Sequence, residues 1–182
     1  MPKIPAIPFC EEMPSHLILG ETNAEIQLNH ADEYKNIALS LAEQARYGIN
    51  IFTQDMDNAI LNNNDFESHV FNLAVRHPRT KIRVLVIDSS TAVKKGHCLI
   101  RIAQKLTSSV FIKNPPEIHS TDKSAFITVD GVGMLYRRHA TPYNYQASAN
   151  FMSPRRVKKL DVFFNEVWEQ SDRDQKVRRL SV

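Results

Sequence analysis

Cysteine is almost missing from this chain. Its 182 residues hold two, Cys10 and Cys98, far apart and without a CxxC spacing, which excludes a disulfide scaffold and a zinc cage. The seven histidines show no HExxH, no HxH and no carboxylate at metal spacing, so no metal site and no cofactor is expected. No apolar run approaches the roughly 20 residues that span a bilayer. The opening MPKIPAIPFCEEMPSH has proline and acid where a signal peptide carries its apolar core. A soluble, cytoplasmic protein without a membrane partner is expected. Glycine is scarce as well. Gly131-Val132-Gly133 joins two expected strands, whereas a dinucleotide fingerprint needs a strand-to-helix turn and a third glycine. There is no GxSxG and no Cys-His signature.

What is present suits one globular domain. Apolar residues make up 42% and charged residues 24%. A chain of this length buries about 70% of its surface on folding. The net charge of +3 hides an asymmetry: residues 1–70 carry −8 and residues 71–182 carry +11. Such a division points to an anionic partner or a self-complementary assembly. Four of the nine prolines fall in residues 1–14, so residues 1–15 read as an extended, proline-rich tail whose Ile4, Ile7 and Phe9 can dock on the body or a partner. The folded domain is expected over 16–172, with a charged tail at 173–182 and fraying from Ser171 onward.

Strands alternate with helices. Strands are expected at Leu17–Leu19, Ile49–Thr53, Ile82–Ile87, Val110–Lys113, Ala125–Val129 and Met134–Arg137. Ala31–Tyr47 has Tyr34, Ile37, Ala38, Leu41 and Ala45 on one helical face, with Gly48 as the stop. Asp65 reads as the cap of a helix over Phe66–His77, and Gly96–Leu106 as another helix with Cys98 in its core. Arg138–Asn150 reads as a polar, aromatic loop. Ser153-Pro154 opens the last helix, which runs to about Gln170. This pattern predicts an α/β fold, a mixed sheet with helices on both faces.

The chemistry centres on the stretch from His119 to Gly131. An apolar strand, Phe126–Val129, is followed by the turn Asp130-Gly131. This frame resembles the signature of the phospholipase D superfamily, in which His-x-Lys precedes four mostly apolar residues and an Asp. There the His attacks phosphorus, the Lys clamps phosphate oxygens and the Asp supports the site. Counting back from Asp130 puts Lys123 at the His position and Ala125 at the Lys position. A register based on His119 leaves Thr121 at the clamp and no Asp at the right distance. Phe163–Asp172 (FFNEVWEQSD) resembles the Phe/Trp helix that follows the signature. Ser148-Ala149-Asn150-Phe151 resembles the family's Ser/Asn element, here 18 residues after Asp130. The resemblance spans about residues 20–170. It is nearest to an uncharacterised bacterial family of degenerate phospholipase-D-like domains, some fused to or beside acetyltransferase domains, which makes such a domain a candidate partner.

By that resemblance the fold is phospholipase-D-like, and the chain pairs with a second copy into a homodimer. Lys123, Asp130, Arg137, Arg138 and Asn150 are the expected ligand-binding residues, in a cleft for a phosphate-bearing ligand or a partner protein. His119, Lys123, Asp130 and His139 are the candidates for residual catalysis. The first reading is a non-catalytic binding or regulatory module, and the second a phosphodiesterase or nuclease with a rearranged site. A third is a nucleic-acid binder using Arg137, Arg138, Arg155, Arg156, Lys158 and Lys159, with Tyr136, Tyr143, Tyr145 and Phe151 interleaved. Four of those cations stand at the start of the last helix, against its dipole, a mild sign of a purpose beyond helix stability.

Overall fold

The computed structural model describes residues 6–8 and 17–178. Strand β1 (Ala6–Pro8), inside the stretch read as an extended tail, pairs in parallel with β2 (Glu25–Leu28). Helix α1 (Ala31–Gln44) follows. Glu33 accepts the Asn29 and His30 N–H groups at 2.7 and 3.0 Å, satisfying donors at the helix start. The helix ends earlier than expected, because Ala45 is already extended. Leu17–Leu19 does not form the expected strand. The Gln44 amide instead accepts the Leu19 N–H and donates to the Leu17 carbonyl, tying that segment to α1.

Gly48 opens β3 (Gly48–Thr53) rather than closing the helix. A Cβ there would lie 2.7 Å from the Lys81 carbonyl oxygen, so the close approach of the two backbones needs glycine. Next come α2 (Asn58–Leu61) and α3 (Asn64–Arg76). The cap of α3 is Asn63, whose Oδ1 accepts the Phe66 N–H at 2.9 Å, and not Asp65. Strand β4 (Lys81–Val86) leads to α4 (Ser90–Lys94), where no helix was expected, and to α5 (Cys98–Lys105), within the helix expected over Gly96–Leu106. Gly96, at φ 62°, breaks the two apart.

After β5 (Val110–Asn114) come the hairpin β6 (Ala125–Val129) and β7 (Gly133–Arg137), then β8 (Ala147–Asn150). β8 lies inside the segment read as a loop. Helix α6 (Pro154–Glu169) carries Pro154 in its first turn, and the Ser153 side chain makes no capping bond. The segment expected to fray is folded through Arg178. It forms β9 (Asp172–Arg173) and α7 (Gln175–Arg178), and Val177 joins the core.

All nine strands make one mixed sheet in the order β1-β2-β8-β7-β6-β3-β4-β5-β9. β3, β4 and β5 run parallel, while β6 runs antiparallel to β3. Alternation along each strand sorts side chains to two layers. Ile49, Ile51, Val84, Ile127 and Val129 pack with α1, α3 and α5 in the larger core. Phe52, Leu85 and Phe126 face the other way and pack on Phe164, Val167 and Trp168 of α6. Helices therefore cover both faces, as the alternating pattern predicts.

Candidate functional site

β6 carries the signature frame. Ala125, at the clamp-lysine position, is only 1% exposed and alternates onto the same strand face as Ile127 and Val129 of the larger core. Lys123, at the histidine position, is exposed, and its carbonyl accepts the Ala140 N–H at 2.6 Å. Asp130 stands seven residues further along extended chain, about 23 Å away at strand rise. Lys123 and Asp130 therefore mark opposite ends of the sheet.

Asp130 is tied up in the fold. Its carboxylate accepts three backbone N–H groups, from Arg46 at 2.7 Å, Tyr47 at 2.8 Å and Gly48 at 2.9 Å. It adopts φ 53°, in the left-handed region that Asp tolerates better than most residues. The acid pins the α1–β3 turn to the β6–β7 turn. Asn150, 1% exposed, is at the same end of the sheet, since it pairs with Met134. Its amide bonds the Asn23 side chain and accepts the Met152 N–H.

The residues at the other end form a different group. Arg137 pairs with Ala125 across the hairpin and is 4% exposed. Its guanidinium donates to Asp57 at 3.0 Å and lies 5.4 and 5.2 Å from the ring centroids of Tyr34 and Tyr145. Its Nε has no partner among the described residues. Burial pushes the Asp57 carboxyl above the usual carboxylate range, and the guanidinium beside it pulls the other way. Burial, and then Asp57, also pushes the Tyr34 hydroxyl far up, so it stays neutral. Met56 and Asp57 are consecutive left-handed residues, at φ 67° and 43°. Strain of this kind marks a segment held by its surroundings.

His97 is one of the groups that hold it. Its Nδ1 accepts the Leu99 N–H at 3.1 Å, so Nε2 carries the proton and donates to the Met56 carbonyl at 3.1 Å. Desolvation holds this histidine down to about 4. Between about pH 4 and 6.5 the unfolded chain binds a proton that the folded chain excludes. Stability is therefore expected to fall as pH drops through that window, by at most about 1.4 kcal/mol per pH unit from this group. Urea titrations at several pH values check this, and a His97→Gln chain should have the shallower profile. Cys98 next to it is buried, and burial pushes its thiol up to about 11, an unreactive range.

Among the sequence candidates, Lys123, Arg137, Arg138 and His139 meet at one end of the hairpin, with His119 on the turn that leads into Lys123. The structure does not bring Asp130 and Asn150 to them, so the five expected ligand residues do not share one cleft. The His119 ring packs edge-on against Phe163, with centroids 5.8 Å apart, while His139 and Arg138 are exposed. Arg155, Lys158 and Lys159 are exposed on α6. Arg156 instead pairs with Glu25 of β2 and reaches Ser148, so one basic residue meets the acidic front of its own chain. Among the described residues no three His, Cys, Asp or Glu side chains could hold a metal ion, and no helix is long and apolar enough to cross a membrane. Sequence reasoning missed Asp57. No local pattern marks it, because its partner is 80 residues away.

Comparison with known proteins agrees with this architecture. A family model described as a domain of unknown function, DUF7931, matches residues 30–180. No curated protein matches the chain. Among solved structures it is similar to TrmBL2, an archaeal chromatin protein with a novel mode of DNA binding, at TM-score 0.61 and 16% identity over 90% of this chain. The chain spans only 56% of TrmBL2. It is similar to NucT from Helicobacter pylori at TM-score 0.59 and 11% identity, covering 84% of this chain and 98% of that one. The phospholipase D family member Nuc from Salmonella typhimurium gives TM-score 0.53 at 12% identity, covering 77% and 90%. The fold is phospholipase-D-like.

Proposed function

The chain belongs to the DUF7931 family and has a phospholipase-D-like fold, and on that premise we propose that it is a non-catalytic module that binds a phosphate-bearing ligand. The observation that carries this reading is the end of the signature hairpin. Two exposed cations, Lys123 and Arg138, stand there without an ion pair among the described residues, while the positions of the nucleophile and the clamp hold Lys123 and a buried Ala125. Lysine and arginine bind phosphate oxygens, and the hairpin lacks the His–Lys pair that would supply nucleophile and clamp together. Arg137 beneath them is committed to Asp57 and serves as support.

A nucleic-acid strand is one source of that phosphate, and the likeness to DNA-binding TrmBL2 favours it. The reading extends to a homodimer, which sedimentation would report. The test titrates the full chain with inorganic phosphate and with a labelled single-stranded oligonucleotide, at about 50 and 200 mM salt. Changing both Lys123 and Arg138 to Ala is expected to weaken binding about tenfold, the equivalent of one charge-assisted contact. Oligonucleotide binding that falls steeply with salt identifies nucleic acid, and binding of phosphate alone identifies a small ligand. Turnover of a chromogenic phosphodiester that Lys123→Ala abolishes would replace this reading with a rearranged phosphodiesterase. Binding that ignores both substitutions would remove the site.

A further inference from the structure

The sheet face under α6 carries two rows of side chains that differ in kind. One row is apolar: Phe126, Phe52 and Leu85 stand side by side on β6, β3 and β4. Two residues along each strand, on the same face, the next row is Thr128, Asn50 and Arg83. Polar groups in such a place need partners, and these find them in a chain. Thr128 Oγ1 donates to Asp161 Oδ1 of α6 at 2.6 Å, and Asn50 Nδ2 donates to the same oxygen at 2.9 Å. Asn50 Oδ1 in turn accepts the Arg83 Nε–H at 3.0 Å. The Arg83 guanidinium also lies 5.1 and 5.5 Å from the ring centroids of Phe164 and Trp168. Desolvation lowers its pKa, and the nearby charges of Asp161 and Glu169 oppose this. Arg83 is thus fixed at Nε and against two rings. Its two terminal nitrogens are not buried and have no bond among the described residues. That end of a guanidinium takes an oxyanion through two parallel bonds.

Arg83 lines a pocket of about 350 Å³ together with Lys81, Tyr47 and Asp130, a volume in the range of small-ligand sites. The Lys81 ammonium gives one bond to the Ser108 carbonyl at 2.7 Å and keeps two further donors. Neither Arg83 nor Lys81 forms an ion pair among the described residues. Asp130 spends its carboxylate on the Arg46, Tyr47 and Gly48 N–H groups. The lining therefore sets two cations against one carboxylate, which leaves one positive charge unbalanced. Tyr47, 75% exposed, adds an aromatic ring to that lining.

We propose that this pocket binds a small monocarboxylic acid, its carboxylate held end-on by Arg83 and Lys81 and its carbon body against Tyr47. The planar fork of Arg83 matches the two oxygens of a carboxylate. A single negative charge balances the lining, whereas a phosphate dianion overshoots it beside Asp130. Asn50 and Asp161 act as positioning residues, since they hold the guanidinium by its Nε and leave the fork free. Lys81 and Gly48 open their strands at the Asp130 end of the sheet, away from Lys123 and Arg138. The carboxylate site is therefore independent of the phosphate reading.

The test titrates the full chain with benzoate, acetate and inorganic phosphate, read by NMR at the Gly48 and Gly131 amides, both in the pocket lining. Benzoate is expected to shift both signals to saturation and to bind at least about tenfold more tightly than acetate, because its ring covers Tyr47. Phosphate should bind more weakly than benzoate. Arg83→Lys keeps the charge but loses the fork, and should weaken benzoate about tenfold. If that variant does not fold, Lys81→Ala, at an exposed position, carries the comparison with a similar loss. Tyr47→Ala should bring benzoate down to the acetate level. Changing both Lys123 and Arg138 to Ala should leave benzoate binding unchanged. The proposal fails if benzoate moves neither glycine signal, or if Arg83→Lys and Lys81→Ala bind it as well as the parent chain. It also fails if phosphate binds more tightly than benzoate, which would make this a phosphate site, or if loss of Lys123 and Arg138 abolishes the benzoate shifts.

Discussion

Asp130→Ala is expected to destabilise the chain by about 3 kcal/mol, lowering the melting temperature by about 6–12 °C. Three backbone donors lose their acceptor together, and the Arg46–Gly48 turn then has nothing to hold it against the hairpin. Each bond to a carboxylate contributes about 1.5–3 kcal/mol when shielded, but this site is partly exposed, so water recovers part of the loss. Asp130→Asn keeps an acceptor oxygen and should fall between the two. Phosphate binding at Lys123, at the other end of β6, should not change in either variant. Thermal melts together with a phosphate titration separate the two roles. Unchanged stability with lost binding would return Asp130 to the ligand site.

Arg137→Met should cost about 3–5 kcal/mol, because it leaves Asp57 buried without its counter-charge. Asp57→Asn keeps a side chain that tolerates the left-handed backbone, and should cost less. Combining the two should recover part of the Arg137→Met loss, since the unpaired charge is then gone. Urea unfolding of the four chains gives the coupling. If Arg137→Met costs under about 1 kcal/mol while phosphate affinity drops, the arginine reaches the ligand and the account of it as support is wrong.

The middle of the sheet was legible in the sequence because its strands carry their own signal. Ile82, Val84, Leu85 and Val86 form a run of apolar, mostly β-branched residues, and AFITV between a polar loop and Asp130-Gly131 reads the same way. β2 and β8 do not. Glu25-Ile-Gln-Leu and Ala147-Ser-Ala-Asn are short and poor in strand formers, and they become strands by pairing with each other across 119 to 123 residues. The candidate site was half legible. The Asp130 turn was visible as a turn, but its three donors lie 82 to 84 residues away. Arg137 read as a ligand residue because a cation beside a signature strand suggests an anion. Its actual anion is Asp57, on a distant loop.

The β2–β8 pairing also bears on synthesis. A growing chain exposes β2 long before residue 147 leaves the ribosome, and β3 waits for β6 in the same way. The β3–β4–β5 unit can assemble as it emerges, and until β6 follows, β3 carries an unpaired edge that folding factors or a neighbouring chain can reach.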